Sequence, residues 1–106
     1  MRVSGTSMLP TLRPGDIVLV RPSVQFPPAI GGLVVFRSER WGSMPCIKRV
    51  GSHGANSFAV SSDNPMDGTD SRQRGSLGPE ELLGLATVRM GRYWLPVPLG
   101  RKRRPR

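Results

Sequence analysis

The amino-acid sequence predicts a mostly β, single compact domain, and three observations carry that prediction. Apolar and β-branched residues fall in short runs, Ile17-Val18-Leu19-Val20 and Leu33-Val34-Val35-Phe36, neither long enough for a helix. Glycine (13) and proline (11) supply about a quarter of the chain and separate those runs with turn chemistry. At 106 residues there is room for one modest core. Residues 1–100 are assigned to this domain and 101–106 to a basic tail.

Arg2 to Ser4 is a short edge strand leading into the corner Gly5-Thr6-Ser7-Met8-Leu9-Pro10. A serine held between a glycine and a proline, beside Met8 and Leu9, sits on constrained backbone rather than on a mobile loop. Pro14-Gly15-Asp16 has turn chemistry, so Ile17 to Arg21 leaves it as a strand. Pro22 to Gly32 is an irregular loop anchored by Phe26 and Ile30. Leu33 to Arg37 follows as a strand buried on both faces, and Ser38 to Met44 as a polar turn carrying Trp41. In the strand Pro45 to Val50, alternation places Cys46, Lys48 and Val50 on one face and Ile47 and Arg49 on the other. Gly51 to Asn56 is a turn and Ser57 to Val60 a strand. Ser61 to Gly78 is a loop of the length usually associated with function. Glu81 to Met90 forms the last long strand, and the proline-rich stretch Trp94 to Leu99 closes the fold.

The formal net charge of +9 suggests a nucleic-acid partner until its location is considered. The tail Arg101-Lys102-Arg103-Arg104-Pro105-Arg106 holds five of the cations. The remaining excess has no aromatic-rich basic stripe beside it, so no nucleic-acid partner is expected. The tail reads first as a solvated end and second as a peripheral contact for acidic lipid. No stretch approaches the roughly 20 apolar residues needed to span a bilayer, and no signal peptide precedes Ser7. A lone Cys46 allows no internal disulfide and, with His53 the single histidine, builds no zinc site. The expected location is therefore the cytoplasm, with membrane association through the tail left open, and no cofactor is expected.

Serine is unreactive at its ordinary pKa, so a catalytic Ser7 needs a base. A lysine serves only when neutral, a state favoured by burial or by a neighbouring positive charge. Lys48 has apolar strand neighbours and Arg49 adjacent, whereas Lys102 lies in the tail. A third stretch accompanies them: Asp63-Asn64-Pro65-Met66-Asp67-Gly68-Thr69-Asp70-Ser71-Arg72, then Gly75.

In this order, residues 5–12, Lys48-Arg49-Val50 and the Asp63 to Gly75 loop resemble the three signature boxes of the type I signal peptidase family of Ser-Lys endopeptidases. The resemblance implies coiled antiparallel β-sheets, with Ser7 as nucleophile, Lys48 as general base and the Ser7 N–H in an oxyanion hole. Gly5 stands where some members place a serine as second oxyanion donor and others a glycine, so that donor is absent or replaced by Thr6 or Ser4. It further implies that Asp70 pairs with Arg49 and Arg72. The loop position that usually bonds the catalytic lysine through a serine is Gly68, so Thr69 or a water would substitute. Substrate would lie as an extended strand between the backbone at Val3 and Ser4 and that at Cys46 and Ile47, with small pockets walled by Met8, Leu9, Val35 and Ile47. The compact size and the Gly-x-Asp-Ser loop are most similar to the maturation proteases of nickel-type superoxide dismutase, which remove an N-terminal extension. Signal peptidase I proper is one alternative, and a catalytically silent binding module of the same fold is another. A Cys46-His53 hydrolase is disfavoured because Cys46 reads as buried apolar filler. The self-cleaving repressor proteases share Ser-Lys chemistry but normally lack the Asp-Ser-Arg loop.

Overall fold

A computed structural model describes residues 1–22, 25–66, 70–90 and 96–100. Among them, six strands form one antiparallel sheet: β1 (Ile17–Arg21), β2 (Leu33–Phe36), β3 (Cys46–His53), β4 (Phe58–Ser61), β5 (Leu82–Met90) and β6 (Pro96–Pro98). Their spatial order is β1-β5-β2-β3-β4, with β6 also paired to β5. The single α-helix assigned there, α1 (Ser71–Arg74), is one turn long, and 3-10 turns occur at Glu39–Trp41 and Pro79–Glu81. No helix among the described residues is long and apolar enough to cross a membrane.

The short runs read from the sequence become strands because each has a partner that completes its ladder. β5 is long enough to serve several: Leu82 to Leu85 face β2, and Leu85 to Met90 face β1. At Gly84 a side chain would have met the Arg21 carbonyl oxygen at 2.5 Å, so glycine admits the close crossing of β1 and β5. β2 is buried at all four positions, as expected of a central strand. Alternation then divides the core. Leu33, Val35, Ile47 and Ala86 pack with Val3, Met8, Leu12 and Val18 on one face. Val34, Phe36 and Val50 pack with Trp41, Phe58, Val60 and Leu77 on the other.

Three boundaries differ from expectation. β3 continues through Gly51, Ser52 and His53, because β4 pairs with it as far as His53 and Phe58; the turn shrinks to a tight closure in which Gly54 N–H donates to Ser57 at 2.9 Å. The long loop contains α1, and Phe58 to Leu77 backbone bonds tie it to β4. Arg2 makes one antiparallel bridge to Ile17 in place of a regular edge strand. Trp94, Gly68, Thr69 and the tail 101–106 lie outside the described residues.

Candidate active site

The corner bearing Ser7 is held from both sides. Before it, Val3 N–H donates to Asp16 and Val3 accepts from Gly15, at 2.7 and 2.8 Å, which aligns the entering chain with the start of β1. Gly5 then turns with φ of 75°, a left-handed conformation that side chains rarely tolerate. Glycine takes this conformation without strain, and a serine in its place would be strained. After the corner, Met8 and Leu12, 2% and 0% exposed, anchor the chain in the core, and Leu12 N–H closes on Met8 at 2.9 Å. Ser7 sits half-buried between these fixed points. Among the described residues neither its hydroxyl nor its amide takes a hydrogen-bond partner.

Lys48 lies in the middle of β3, paired to Val34, and is 7% exposed. Its amine donates to the Ser62 hydroxyl at 2.8 Å. The next residue, Arg49, points to the opposite face of the strand and meets the next residue of the same segment: its guanidinium donates to both Asp63 carboxylate oxygens, at 3.0 and 2.5 Å. That ion pair is almost wholly enclosed, with 9% and 4% of the two side chains exposed. Arg49 also donates to the Gly31 carbonyl at 2.9 Å, and Thr11 donates its hydroxyl to Asp63 at 2.5 Å. Asn64 completes the segment. Its N–H donates to the Ser7 carbonyl at 2.9 Å and its side-chain amide to the Thr6 carbonyl at 3.0 Å. The tripeptide Ser62-Asp63-Asn64 therefore clasps β3 from both faces while holding the serine corner.

The expected partner of Arg49 is corrected by this geometry. Asp70 caps α1, accepting from Arg72 N–H at 2.9 Å, with the Gln73 side chain accepting from Asp70 N–H at 3.1 Å. Its ion pair is with Arg72, at 2.9 Å on the surface, and Asp63 takes the place beside Arg49. The hydrogen bond from Arg72, chiefly, holds the Asp70 carboxyl below the usual carboxylate range. Lys48 has a hydroxyl partner in Ser62, one residue after β4, while Gly68 and Thr69, the expected place of such a partner, lie outside the described residues.

Of the residues expected to wall small pockets, Met8, Val35 and Ile47 pack together in one core cluster, while Leu9 is half-buried. Two stretches of backbone are left open. Val50 exchanges bonds with Gly31 and Gly32, so alternation turns the amide and carbonyl of Ile47 toward the β4 side, beyond the last pair Arg49 and Ser61. Ser4 is turned away from Asp16 and Gly15 by the same alternation, and neither Ile47 nor Ser4 has a backbone partner on that side among the described residues. Cys46 is half-buried, and its thiol lies 3.4 Å from the Met44 carbonyl. Burial pushes that thiol up, against the opposing pull of Lys48 and Arg74, which leaves it a poor nucleophile.

Sequence reasoning missed Ser62, Thr11 and the particular roles of Asp63 and Asn64. A signal for the first was present: two consecutive cations on a strand point to opposite faces, and Ser62-Asp63 offers two consecutive acceptors.

Comparison with known proteins gives one family. A family model described as Peptidase S24-like matches residues 1–74, a span that includes the serine corner, Lys48 and the Ser62-Asn64 segment. No curated protein and no solved structure matches the chain.

Proposed function

The chain belongs to the Peptidase S24-like family, and from that premise we propose that it is a serine endopeptidase in which Ser7 is the nucleophile and Lys48 the general base. The observation that carries this is the shared segment: Ser62 holds the enclosed Lys48 amine at 2.8 Å, and Asn64, two residues on, holds the Ser7 corner. Burial at 7% exposure disfavours the charged form of an amine, the condition a lysine base needs. The unengaged hydroxyl and N–H of Ser7 are the groups that attack and oxyanion binding require.

The Lys48 amine rests on Ser62, and proton transfer requires the Ser7 hydroxyl within its reach, directly or through one water. Neutral Lys48 takes the hydroxyl proton as Ser7 Oγ bonds to the peptide carbonyl carbon. The carbonyl electron pair moves to oxygen, where the Ser7 N–H stabilises it. Collapse re-forms the carbonyl and breaks the C–N bond, and the Lys48 ammonium protonates the departing amine. A water then gives its proton to Lys48, adds to the acyl-enzyme and expels Ser7, which recovers that proton. The products are a carboxylic acid and an amine, and no redox partner is involved.

The open backbone at Ile47 and Ser4 suits a substrate added as an extended strand, read by main-chain bonds. The substrate we propose is the N-terminal leader or propeptide of another protein, with nickel-type superoxide dismutase as the first candidate and a signal-peptide junction as the second. The test compares wild type, Ser7→Ala and Lys48→Ala on peptides spanning each junction. Both variants are expected to lose about 10³-fold or more in kcat. Equal cleavage by all three removes the enzymatic reading and leaves a silent binding module.

A further inference from the structure

We propose that Asn64 is a positioning residue for the oxyanion hole, acting through the two peptide bonds that flank Ser7. The proposal rests on the reading of Ser7 as nucleophile. Asn64 donates its side-chain amide to the Thr6 carbonyl at 3.0 Å and its backbone N–H to the Ser7 carbonyl at 2.9 Å. Its remaining side-chain oxygen accepts from Met66 N–H at 3.0 Å, which fixes the amide's orientation. The Thr6 carbonyl accepts a second bond, from Leu9 N–H at 3.2 Å.

A trans peptide is planar, with carbonyl and N–H on opposite sides. The Thr6-Ser7 peptide is not among the cis bonds of the described chain. Pinning the Thr6 carbonyl toward Asn64 and Leu9 therefore aims the Ser7 N–H the other way, where no group of the described residues meets it. Two hydrogen bonds on one carbonyl also polarise the peptide and strengthen its N–H as a donor. Such a donor is set before the reaction begins and needs no reorganisation as negative charge develops. Gly5, with φ of 75°, leaves the corner without a side-chain donor just before it, so the alignment of this N–H carries more of the load.

Asn64→Asp isolates the contact. It keeps the oxygen that accepts from Met66 and the backbone bond to Ser7, but sets a carboxylate oxygen against the Thr6 carbonyl. The expected result is a fall in kcat of about 10- to 100-fold with KM within about twofold, since the interaction matters when the oxyanion forms. A peptide aldehyde, which forms a hemiacetal oxyanion on Ser7, should lose affinity by the same factor as kcat. The matching peptide alcohol, which forms none, should bind as before. Asn64→Ala is expected to show the same split, and both readouts are taken per active site, so partial misfolding does not imitate them. A kcat within twofold of wild type in both variants overturns the proposal. So does a parallel loss of kcat, KM, alcohol affinity and melting temperature, which marks a structural role. If Ser7→Ala still cleaves, the nucleophile assignment itself has failed, a result distinguishable from either.

Discussion

At the scale of single residues, the site depends on two consecutive polar side chains set against two consecutive cations. Ser62 orients the Lys48 amine at 2.8 Å, so Ser62→Ala should lower kcat by about tenfold in a cleavage assay while Ser62→Thr retains most of it. Asp63 has a different weight. Its pair with Arg49 is enclosed, and removing one member of such a pair strands the other charge without a partner. Asp63→Ala should therefore cost about 3–5 kcal/mol in urea unfolding, far more than loss of the exposed Asp70 pair would. The sequence singled out Ser7, Lys48 and Arg49 because each sits in a short pattern with its own chemistry, and the structure places Lys48 and Arg49 on opposite faces of β3 as alternation required. It misassigned the acid. Asp70 and Asp63 are both carboxylates in the same polar stretch, and which one reaches Arg49 depends on where the chain leaves β4. Asp70-Ser71-Arg72-Gln73 also carries the spacing of a capping box, a local competitor that claims the Asp70 carboxylate for α1.

At the scale of elements, strand identity followed from β-branched runs bounded by glycine and proline, and most of it was readable. The boundaries were less so. The extension of β3 through Gly51-Ser52-His53 reflects pairing with β4, a non-local choice that overrides the turn preference of Gly and Ser. Gly84 shows the same dependence on context. A methyl group there would lie 2.5 Å from the Arg21 carbonyl oxygen, so Gly84→Ala is expected to destabilise by about 1–3 kcal/mol or more on chemical denaturation. The segment between β4 and β5 should respond to acid. Asp70 is held below the usual carboxylate range by Arg72. Glu81 is pushed up by burial but carried below that range by hydrogen bonds from Ser38, Gly78 and Arg40. A carboxyl whose folded pKa is depressed contributes stability above its unfolded pKa, and that contribution is lost as pH falls through the folded value. Melting temperatures should thus drop on acidification below the ordinary carboxylate range, and less steeply in Asp70→Asn and Glu81→Gln.

At the scale of the whole molecule, the site is assembled from three distant stretches: the corner near Thr6, the middle of β3 and the residues just after β4. The Asn64 to Thr6 bond spans 58 positions and the Arg49 to Thr11 contact 38. Sheet order β1-β5-β2-β3-β4 places β3 between β2 and β4, so the Ser62-Asn64 segment that touches both β3 and the serine corner is in position only when the sheet has closed. Loss of cleavage in urea should accordingly coincide with loss of far-ultraviolet circular dichroism at one midpoint; cleavage surviving past that midpoint would show a site independent of the sheet. The same bond reaching back 58 positions has a biological corollary. A chain emerging from the ribosome exposes its hydroxyl first and its amine much later, and neither is aimed until the residues beyond β4 have been made. Under the proposed chemistry, a half-synthesised copy lacks the arrangement that would cut, since the bond from Asn64 to the corner cannot yet form.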